Sequence, residues 1–204
     1  MENKNSHFDD LARSWDSPET IARNEAFAAA IKKHLTAPVA KLMDFGCGTG
    51  LLTSHFLHQA QELVGIETSQ GMQEVFNKRF KEQEHVSMLI TNLEEASLPA
   101  HSAPFEVIMT AMAFHHLKNP REVLLTFKQH LSPGGRVFII DLDTEDGSFH
   151  PDNAAMGVHH YGFSRQELSS WAQELGFNFE HQLIYQIQKN ERSYGLFMGI
   201  FTLS

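Results

Sequence analysis

The stretch that decides the fold is LMDFGCGTG, which runs from Leu42 to Gly50. An apolar run that contains Asp44 leads into glycines at positions 46, 48 and 50. A glycine-rich turn between a strand and a helix lets a ligand approach the backbone closely, and it directs the first N–H groups of the helix at that ligand. We therefore expect a buried strand, a ligand-binding turn and a helix from about Thr49.

The spacing and the charge of this turn indicate the kind of ligand. Turns that bind dinucleotides have the spacing G-x-G-x-x-G and present N–H groups to a pyrophosphate. Here the spacing is G-x-G-x-G, and the carboxylate of Asp44 would repel a pyrophosphate. It suits a ligand with an ammonium or sulfonium charge, whose own carboxylate could bind backbone N–H groups nearby. S-adenosylmethionine carries all of these charges.

The composition of the chain argues against several classes of protein. The 204 residues suit a single domain, and the net charge of −9 argues against a broad surface for nucleic acid or for an anionic membrane. The one cysteine excludes an internal disulfide. The polar first residues lack the apolar core of a signal peptide, and no apolar run reaches about 18 residues. We expect a cytoplasmic protein, a monomer or homodimer, without nucleic-acid or membrane partners.

Apolar runs alternate with helix-like segments along most of the chain. This alternation predicts a parallel sheet covered on both faces, and the last two runs predict an antiparallel hairpin. The fold class is therefore α/β, with a seven-stranded, mostly parallel sheet. The predicted strands are 39–45, 62–67, 85–90, 105–112, 136–142, 178–188 and 194–203, and the predicted helices are 17–35, 49–59, 69–81, 120–130 and 164–177.

Residues 44–50, DFGCGTG, resemble motif I of the class I S-adenosylmethionine-dependent methyltransferases. Over residues 8–204 the chain is similar to the small-molecule branch that includes the ubiquinone and menaquinone biosynthesis methyltransferases. The resemblance implies a Rossmann-like three-layer sandwich, methyl transfer to a small-molecule acceptor, and S-adenosylhomocysteine as product. It divides the single domain into an N-terminal helical lid (1–37), a cofactor-binding core (38–143), an acceptor-side loop (144–163) and a C-terminal helix with hairpin (164–204).

The resemblance also implies roles for individual residues. Glu67 lies 17 residues beyond Gly50 and would accept hydrogen bonds from the ribose hydroxyls. Met72 would pack near the adenine, and Asn92 stands where the family usually has an aspartate that reaches the adenine amino group. His115, in AMAFHHL (111–117), would position the acceptor or take its proton. The full set of implied cofactor residues is Asp44, Gly46, Cys47, Gly48, Gly50, Glu67, Thr68, Met72, Asn92, Leu93, Glu94 and Ala111.

Three features of the chain have more than one interpretation. Cys47 is expected to be a packed thiol whose N–H faces the ligand. His115 and His116 are adjacent, and because adjacent residues of an extended segment point to opposite sides, we expect no metal site. Phe8, Trp15 and Arg23 would cover the ligand as a lid or pack as an ordinary helix, and a loop containing His159, His160 and Tyr161 would lie over the acceptor.

Two other functions remain open at this stage. A non-catalytic S-adenosylmethionine-binding protein would have the same cofactor site, and only turnover would distinguish it from an enzyme. An NAD-dependent oxidoreductase would share the fold, although the glycine spacing and Asp44 argue against it. Methylation of a protein or nucleic acid is disfavoured, because the chain has no basic stripe.

Overall fold

A seven-stranded sheet forms the centre of the protein, and the computed structural model describes residues 6–99 and 104–204. The strands are β1 (Val39–Phe45), β2 (Ala60–Glu67), β3 (Val86–Ile90), β4 (Phe105–Ala111), β5 (Leu131–Leu142), β6 (Phe177–Lys189) and β7 (Arg192–Leu203). The helices are α1 (Ser6–Leu11), α2 (Pro18–Lys32), α3 (Leu51–Ser54), α4 (Gln70–Arg79), α5 (Pro120–His130) and α6 (Arg165–Leu175).

The order of the strands confirms the predicted fold class. The sheet has the order β3-β2-β1-β4-β5-β7-β6, in which β1 to β5 are parallel and β7 is antiparallel to both β5 and β6. From β1 the chain first moves outward through β2 and β3, and then returns to the other side of β1 with β4. The β1–β4 boundary is therefore a topological switch point, where open α/β sheets bind their ligands.

The alternating side chains of the central strands supply two separate cores. Leu42 of β1 packs with Phe27 and Ile31 of α2, whereas Met43, on the opposite face, packs with residues of α5 and α6. Both side chains are fully buried. Helices on both faces explain why the strands are apolar almost without interruption. No helix among the described residues is both long enough and apolar enough to cross a bilayer.

The helix predicted at 49–59 is wrong in length. Only α3 is an α-helix, and the chain then continues with tighter i to i+3 bonds, from Phe56 N–H to Thr53 O and from Gln59 N–H to Phe56 O, both 2.9 Å. This bend places Phe56 in the core with no exposed surface. It also lets Val39 N–H donate to Gln59 O (2.8 Å), so β2 begins next to the start of β1.

Most of the predicted helix ends are confirmed. The side chains of Ser17, Ser69 and Ser164 accept N–H bonds at the starts of α2, α4 and α6, and Gly176 ends α6 with φ +72°. Asn119 precedes α5 as predicted, but its side chain makes no capping bond. Its backbone N–H donates instead to Glu94 Oε1 (2.7 Å).

The observed strands differ from the prediction most clearly at the start of β5 and at the β6–β7 hairpin. β5 begins at Leu131 and not at residue 136, because the Ser-Pro-Gly-Gly segment (132–135) forms an irregularity inside the strand: Phe105 pairs with Leu131, but Val107 pairs with Arg136. β6 and β7 extend closer to each other than predicted. They are joined by Asn190 and Glu191, both at positive φ (+50° and +62°), as a two-residue hairpin turn requires.

Candidate functional site

A cavity of about 1080 Å³ opens at the carboxyl ends of the parallel strands, at the β1–β4 switch point. Its walls come from the turn after β1, the ends of β2 and β4, the segment after β3, the N-terminal helices and the loop after β5. The predicted residues that line it are Asp44, Gly46, Cys47, Gly48, Glu67, Thr68, Met72, Asn92, Leu93, Glu94, Ala111 and His115.

Gly50 does not line the cavity, in contrast to the prediction. It lies at φ +83° against the rings of α4 and the segment that follows it: a Cβ atom there would come within 2.4 Å of Phe80 and 2.8 Å of Phe76. Gly46 is closer to the cavity, and a Cβ atom on it would come within 2.5 Å of Ala113 Cβ. Gly50 is therefore needed for packing and backbone conformation, and Gly46 for the close approach of two loops.

The backbone of the glycine turn is largely hydrogen-bonded within the protein. Gly46 N–H and Cys47 N–H both donate to Ile66 O (2.8 and 3.2 Å), and Gly48 N–H donates to Glu67 Oε2 (2.9 Å). The expectation that Cys47 N–H faces the ligand is therefore wrong. α3 has only four residues, so a helix N-terminus is not the main anchor for the ligand.

The Cys47 thiol is packed, as expected. It contacts the rings of Phe76 and Phe80 in a small separate core. Burial, with the charges of Asp44 and Glu67 adding to it, raises the pKa of Cys47 well above its usual range. A thiol held in this neutral state is a poor nucleophile.

Asp44 is a buried carboxylate at the end of β1. It is 2% exposed, and its Oδ2 accepts a hydrogen bond from Thr53 Oγ1 (2.5 Å). Burial raises the pKa of Asp44 to about 7; the Thr53 bond opposes this rise and the nearby charge of Glu67 adds to it. Within residues 6–99 and 104–204 no cation forms a salt bridge with Asp44. A cationic ligand group would compensate this charge.

Glu67 is held in one orientation by backbone N–H groups. Its Oε2 accepts from Gly48, and its Oε1 accepts from Thr68 (2.8 Å) and Ser69 (3.1 Å). The carboxylate therefore bridges the turn after β1 and the turn after β2. One lone pair of Oε2 is left for a ligand hydroxyl, and a second hydroxyl would replace one of the backbone donors.

The segment after β3 is shaped by two of the predicted residues. Asn92 Oδ1 accepts from Glu94 N–H (3.0 Å) and so closes an Asx turn. Glu94 in turn accepts from Asn119 N–H and connects this segment to the start of α5. Both residues thus position the backbone here, and Asn92 Oδ1 has a second lone pair for a ligand amine.

The N-terminal segment lies over the same cavity. Asp9 accepts from Ser69 Oγ (2.5 Å) and Gly71 N–H (2.9 Å), bonds that lower its pKa and fasten α1 to α4. Phe8 packs edge-on against Trp15 (5.9 Å between centroids), and both line the cavity with Arg23. Arg23 Nε is buried and has no hydrogen-bond partner among the described residues.

His115 and Asp141 form a buried pair on the other side of the cavity. His115 is 1% exposed, Asp141 is 0% exposed, and Nδ1 of the histidine lies 2.7 Å from Oδ1 of the aspartate. Burial alone would raise the pKa of Asp141, but His115 and the N–H donors around it lower the pKa. The ionised aspartate therefore orients the ring of His115 through Nδ1, and Nε2 is the ring nitrogen that remains for another partner.

Two further histidines lie next to His115. Residues Phe114–His116 form a 3-10 turn and not an extended segment, so the rings of His115 and His116 come together, with centroids 4.1 Å apart. The ring of His150 is 5.0 Å from that of His115. Burial, followed by the effect of His115, lowers the pKa of His116 to about 3 and that of His150 to about 4. The geometric reason for expecting no metal site is thus wrong.

The loop after β5 passes over this group of histidines. His159 N–H and His160 N–H both donate to His115 O (2.9 and 3.1 Å). His159 lines the cavity, His160 packs on Phe163 (5.2 Å between centroids), and Tyr161 is 49% exposed. Of the three residues singled out in this loop, only His159 reaches the cavity.

Comparison with known proteins identifies the family. The model of the family described as "Methyltransferase domain" matches residues 16–182, which is most of the chain. The chain belongs to this methyltransferase family. S-adenosylmethionine is the cofactor on which these methyltransferases depend, and related structures are solved with it or with its product.

Individual relatives agree with this assignment. An uncharacterized methyltransferase from Schizosaccharomyces pombe is 35% identical over 140 residues, or 62% of this chain and 49% of that protein. A ubiquinone biosynthesis O-methyltransferase from Azoarcus is 29% identical over 67% of this chain and 60% of its own length. The aligned part of this chain thus spans about half to three fifths of these two relatives.

A solved structure has the same fold. The N-methyltransferase NodS from Bradyrhizobium japonicum, in complex with S-adenosylhomocysteine, superposes with a TM-score of 0.71. The alignment covers 99% of both chains at 16% identity. At this identity the likeness concerns the methyltransferase fold and carries no information about the acceptor.

Sequence reasoning missed two residues of this methyltransferase site, Asp141 and His150. Asp141 is the only charged residue in the buried run VFIIDL, and a carboxylate inside a buried strand was a usable signal. His150 lies in the aperiodic loop after β5, where neither spacing nor periodicity distinguishes it from the other histidines.

Proposed function

We propose that this protein transfers the methyl group of S-adenosylmethionine to a small-molecule acceptor. The observation that carries the proposal is the buried Asp44 carboxylate at the switch-point cavity, which lacks a cationic partner among the described residues. The ammonium and sulfonium charges of S-adenosylmethionine would neutralise it. Glu67, on the neighbouring strand, would accept from the ribose hydroxyls, and Met72, Asn92 and Leu93 would enclose the adenine.

The carboxylate of the cofactor requires a partner outside the glycine turn. The N–H groups of Gly46, Cys47 and Gly48 already donate within the protein. Arg23 lines the same cavity, and its Nε has no partner within the described part of the chain. We infer that Arg23 binds the carboxylate, and that the described part of the predicted lid, residues 6–37, covers the cofactor; residues 1–5 of that prediction lie outside the described residues.

The acceptor would bind beside His115, under the loop 144–163. Methyl transfer is an in-line displacement, in which a lone pair of the acceptor forms a bond to the methyl carbon while the carbon–sulfur pair returns to sulfur. The protein mainly supplies alignment and excludes water. Nε2 of His115, which is buried and unpartnered among the described residues, is placed to position the acceptor or to take its proton.

Thermal unfolding with and without ligands tests the cofactor assignment. A ligand at about 100 times its dissociation constant adds about 2.7 kcal/mol, and a chain of this size gains about 2–4 °C per kcal/mol. We expect S-adenosylhomocysteine and S-adenosylmethionine to raise the Tm by about 5–10 °C, and NAD to leave it unchanged. A rise with NAD alone would overturn the proposal. Acceptors are then screened by a mass gain of one methyl group, which separates an enzyme from a non-catalytic binder.

Replacing Arg23 by alanine is expected to weaken S-adenosylhomocysteine binding by about 10- to 100-fold, because a hydrogen bond to a charged group contributes about 1.5–3 kcal/mol. Methylthioadenosine, which has the nucleoside but no carboxylate, provides the matched control and should bind the variant as tightly as the wild type. Calorimetry measures both constants. Equal losses for the two ligands would show that Arg23 supports the fold of the site and does not contact the carboxylate.

A further inference from the structure

We propose that His115, His116 and His150 bind one divalent transition-metal ion, of the class represented by Zn²⁺, on the acceptor side of the cavity. One ring nitrogen from each of the three residues lies within 4.8 Å of the other two. All three residues line the cavity. Three imidazoles with a fourth position open to a cavity are a ligand set found in catalytic zinc sites.

The contacts around these histidines are those of metal ligands. A ligating histidine usually donates its second ring N–H to a carboxylate or a backbone carbonyl, which fixes the ring and its tautomer. His115 Nδ1 has Asp141 Oδ1 at 2.7 Å, and His116 Nδ1 has Gly157 O at 3.3 Å. In both residues Nε2 is then the nitrogen that remains for a metal ion. Two of the three histidines, His115 and His116, therefore already have an acceptor for the ring nitrogen that would not bind the metal.

Unpartnered nitrogens also point to a missing group. His115 Nε2 and His150 Nδ1 are both buried and have no hydrogen-bond partner among the described residues. A buried polar atom without a partner is destabilising, and in native proteins it usually has a water molecule or an ion. A metal ion shared with His116 would give both of these nitrogens a partner at once.

The ring nitrogens of the three histidines are only slightly farther apart than the ligands of a bound metal ion. Metal–nitrogen bonds of 2.0–2.1 Å in a tetrahedral site place the nitrogens about 3.4 Å apart. The rings are already close, with His116 and His150 centroids at 5.8 Å. His150 lies outside any strand or helix, but Lys189 of β6 donates to the neighbouring Phe149 O (2.7 Å) and holds the backbone there. A rotation of the His150 ring, without a large loop movement, would close the site.

This inference rests on the proposed function, because the fourth position of the ion faces the acceptor. One lone pair of His115 cannot hold both a proton and a metal ion, so the metal-bound form excludes His115 as the base. The ion would instead bind an oxygen or sulfur atom of the acceptor and lower its pKa. The acceptor proton then leaves to water, and the heteroatom lone pair attacks the methyl carbon. The preferred acceptors are hydroxyl or thiol compounds.

Cobalt binding tests the site without reference to activity. Full-length protein, stripped with EDTA and exchanged into metal-free buffer, is titrated with Co²⁺, whose visible absorption reports coordination by nitrogen. We expect one equivalent to bind and Zn²⁺ to displace it. His116→Ala and His150→Ala should each weaken Co²⁺ binding at least tenfold. His58→Ala, which removes an exposed histidine outside the cavity, should bind as the wild type does.

The possible outcomes distinguish a failure of the metal site from a failure of the methyltransferase assignment. S-adenosylhomocysteine is added to the same metal-free samples, and its effect on the Tm shows that each variant is folded and that the cofactor site is intact. No saturable Co²⁺ spectrum in wild-type protein, or an unchanged affinity in both variants, would overturn the metal site and leave the cofactor assignment standing. Co²⁺ binding without any stabilisation by S-adenosylhomocysteine would support the metal site and contradict methyl transfer.

Discussion

Replacing Glu67 by alanine is expected to weaken S-adenosylhomocysteine binding at least about 100-fold. Two hydrogen bonds from ribose hydroxyls to a carboxylate contribute about 1.5–3 kcal/mol each, and 1.4 kcal/mol corresponds to a factor of ten. Gly48, Thr68 and Ser69 already orient the carboxylate through their N–H groups, so only one of these donors has to be exchanged for the second hydroxyl. Isothermal titration calorimetry measures the dissociation constant directly.

Two further variants make the Glu67 experiment decisive. Glu67→Gln keeps the shape and one acceptor oxygen, so its binding should lie between that of wild type and of Glu67→Ala. Glu62→Ala removes a half-exposed carboxylate from the same strand, where it pairs with Lys41 at 2.7 Å, and should leave binding unchanged. If Glu67→Ala, shown to be folded by its circular dichroism, binds S-adenosylhomocysteine as tightly as wild type, Glu67 is not a ribose ligand.

The fold was predictable because its signals are local and redundant. Apolar strands such as 39–45 and 105–112 read as buried on both faces, and Ser17, Ser69, Ser164 and Gly176 mark helix ends by local hydrogen bonding and backbone conformation. The failures came where a long-range contact overrides a local preference. The segment 49–59 has helical character, but burial of Phe56 and the bond from Val39 to Gln59 end the helix after one turn.

The part of the cavity around Asp44 and Glu67 was more predictable than the part around His115. Asp44, Gly46 and Glu67 lie at strand ends, where the switch-point rule places ligands. The part around His115 depends on pairs that are distant in sequence: Asp141 is 26 residues from His115, and His150 lies in a loop without periodicity. Even the proximity of His115 and His116 depends on a 3-10 turn that their sequence does not indicate.

Replacing Asp44 by asparagine is expected to stabilise the ligand-free protein while it weakens cofactor binding. The amide has nearly the shape of the carboxylate and can still accept from Thr53, but it carries no charge. The pKa of Asp44 is raised by burial to about 7, compared with 3.8 in the unfolded chain. Each pKa unit corresponds to about 1.4 kcal/mol, so ionising this carboxyl in the folded protein costs about 4 kcal/mol in total.

The sign of the pH dependence follows from proton binding. Between about pH 4 and pH 7 the folded protein retains a proton that the unfolded chain has released, so this group makes stability fall as pH rises, until the fall levels off above pH 7. The Tm of Asp44→Asn minus the Tm of wild type is therefore expected to increase by about 5–10 °C between pH 5 and pH 8.5. Asp10→Asn, at an exposed position, should show no such growth.

Cofactor binding should respond to pH in the opposite direction. In the proposed binding mode S-adenosylmethionine contacts the ionised form of Asp44. Below pH 7 the ligand would then first displace a proton, and wild-type affinity should rise about tenfold per pH unit towards pH 7. Asp44→Asn should bind at least about tenfold more weakly at pH 7.5, because a charge-assisted contact is lost, and its affinity should not change between pH 5.5 and 7. Calorimetry measures the dissociation constants across this pH range. A wild-type affinity that does not change with pH would mean that Asp44 does not contact the cation of the cofactor. A carboxylate that only served the fold would stabilise the ligand-free protein. Asp44 is expected to destabilise the ligand-free protein and to be stabilised by the bound cation, as a binding group would be.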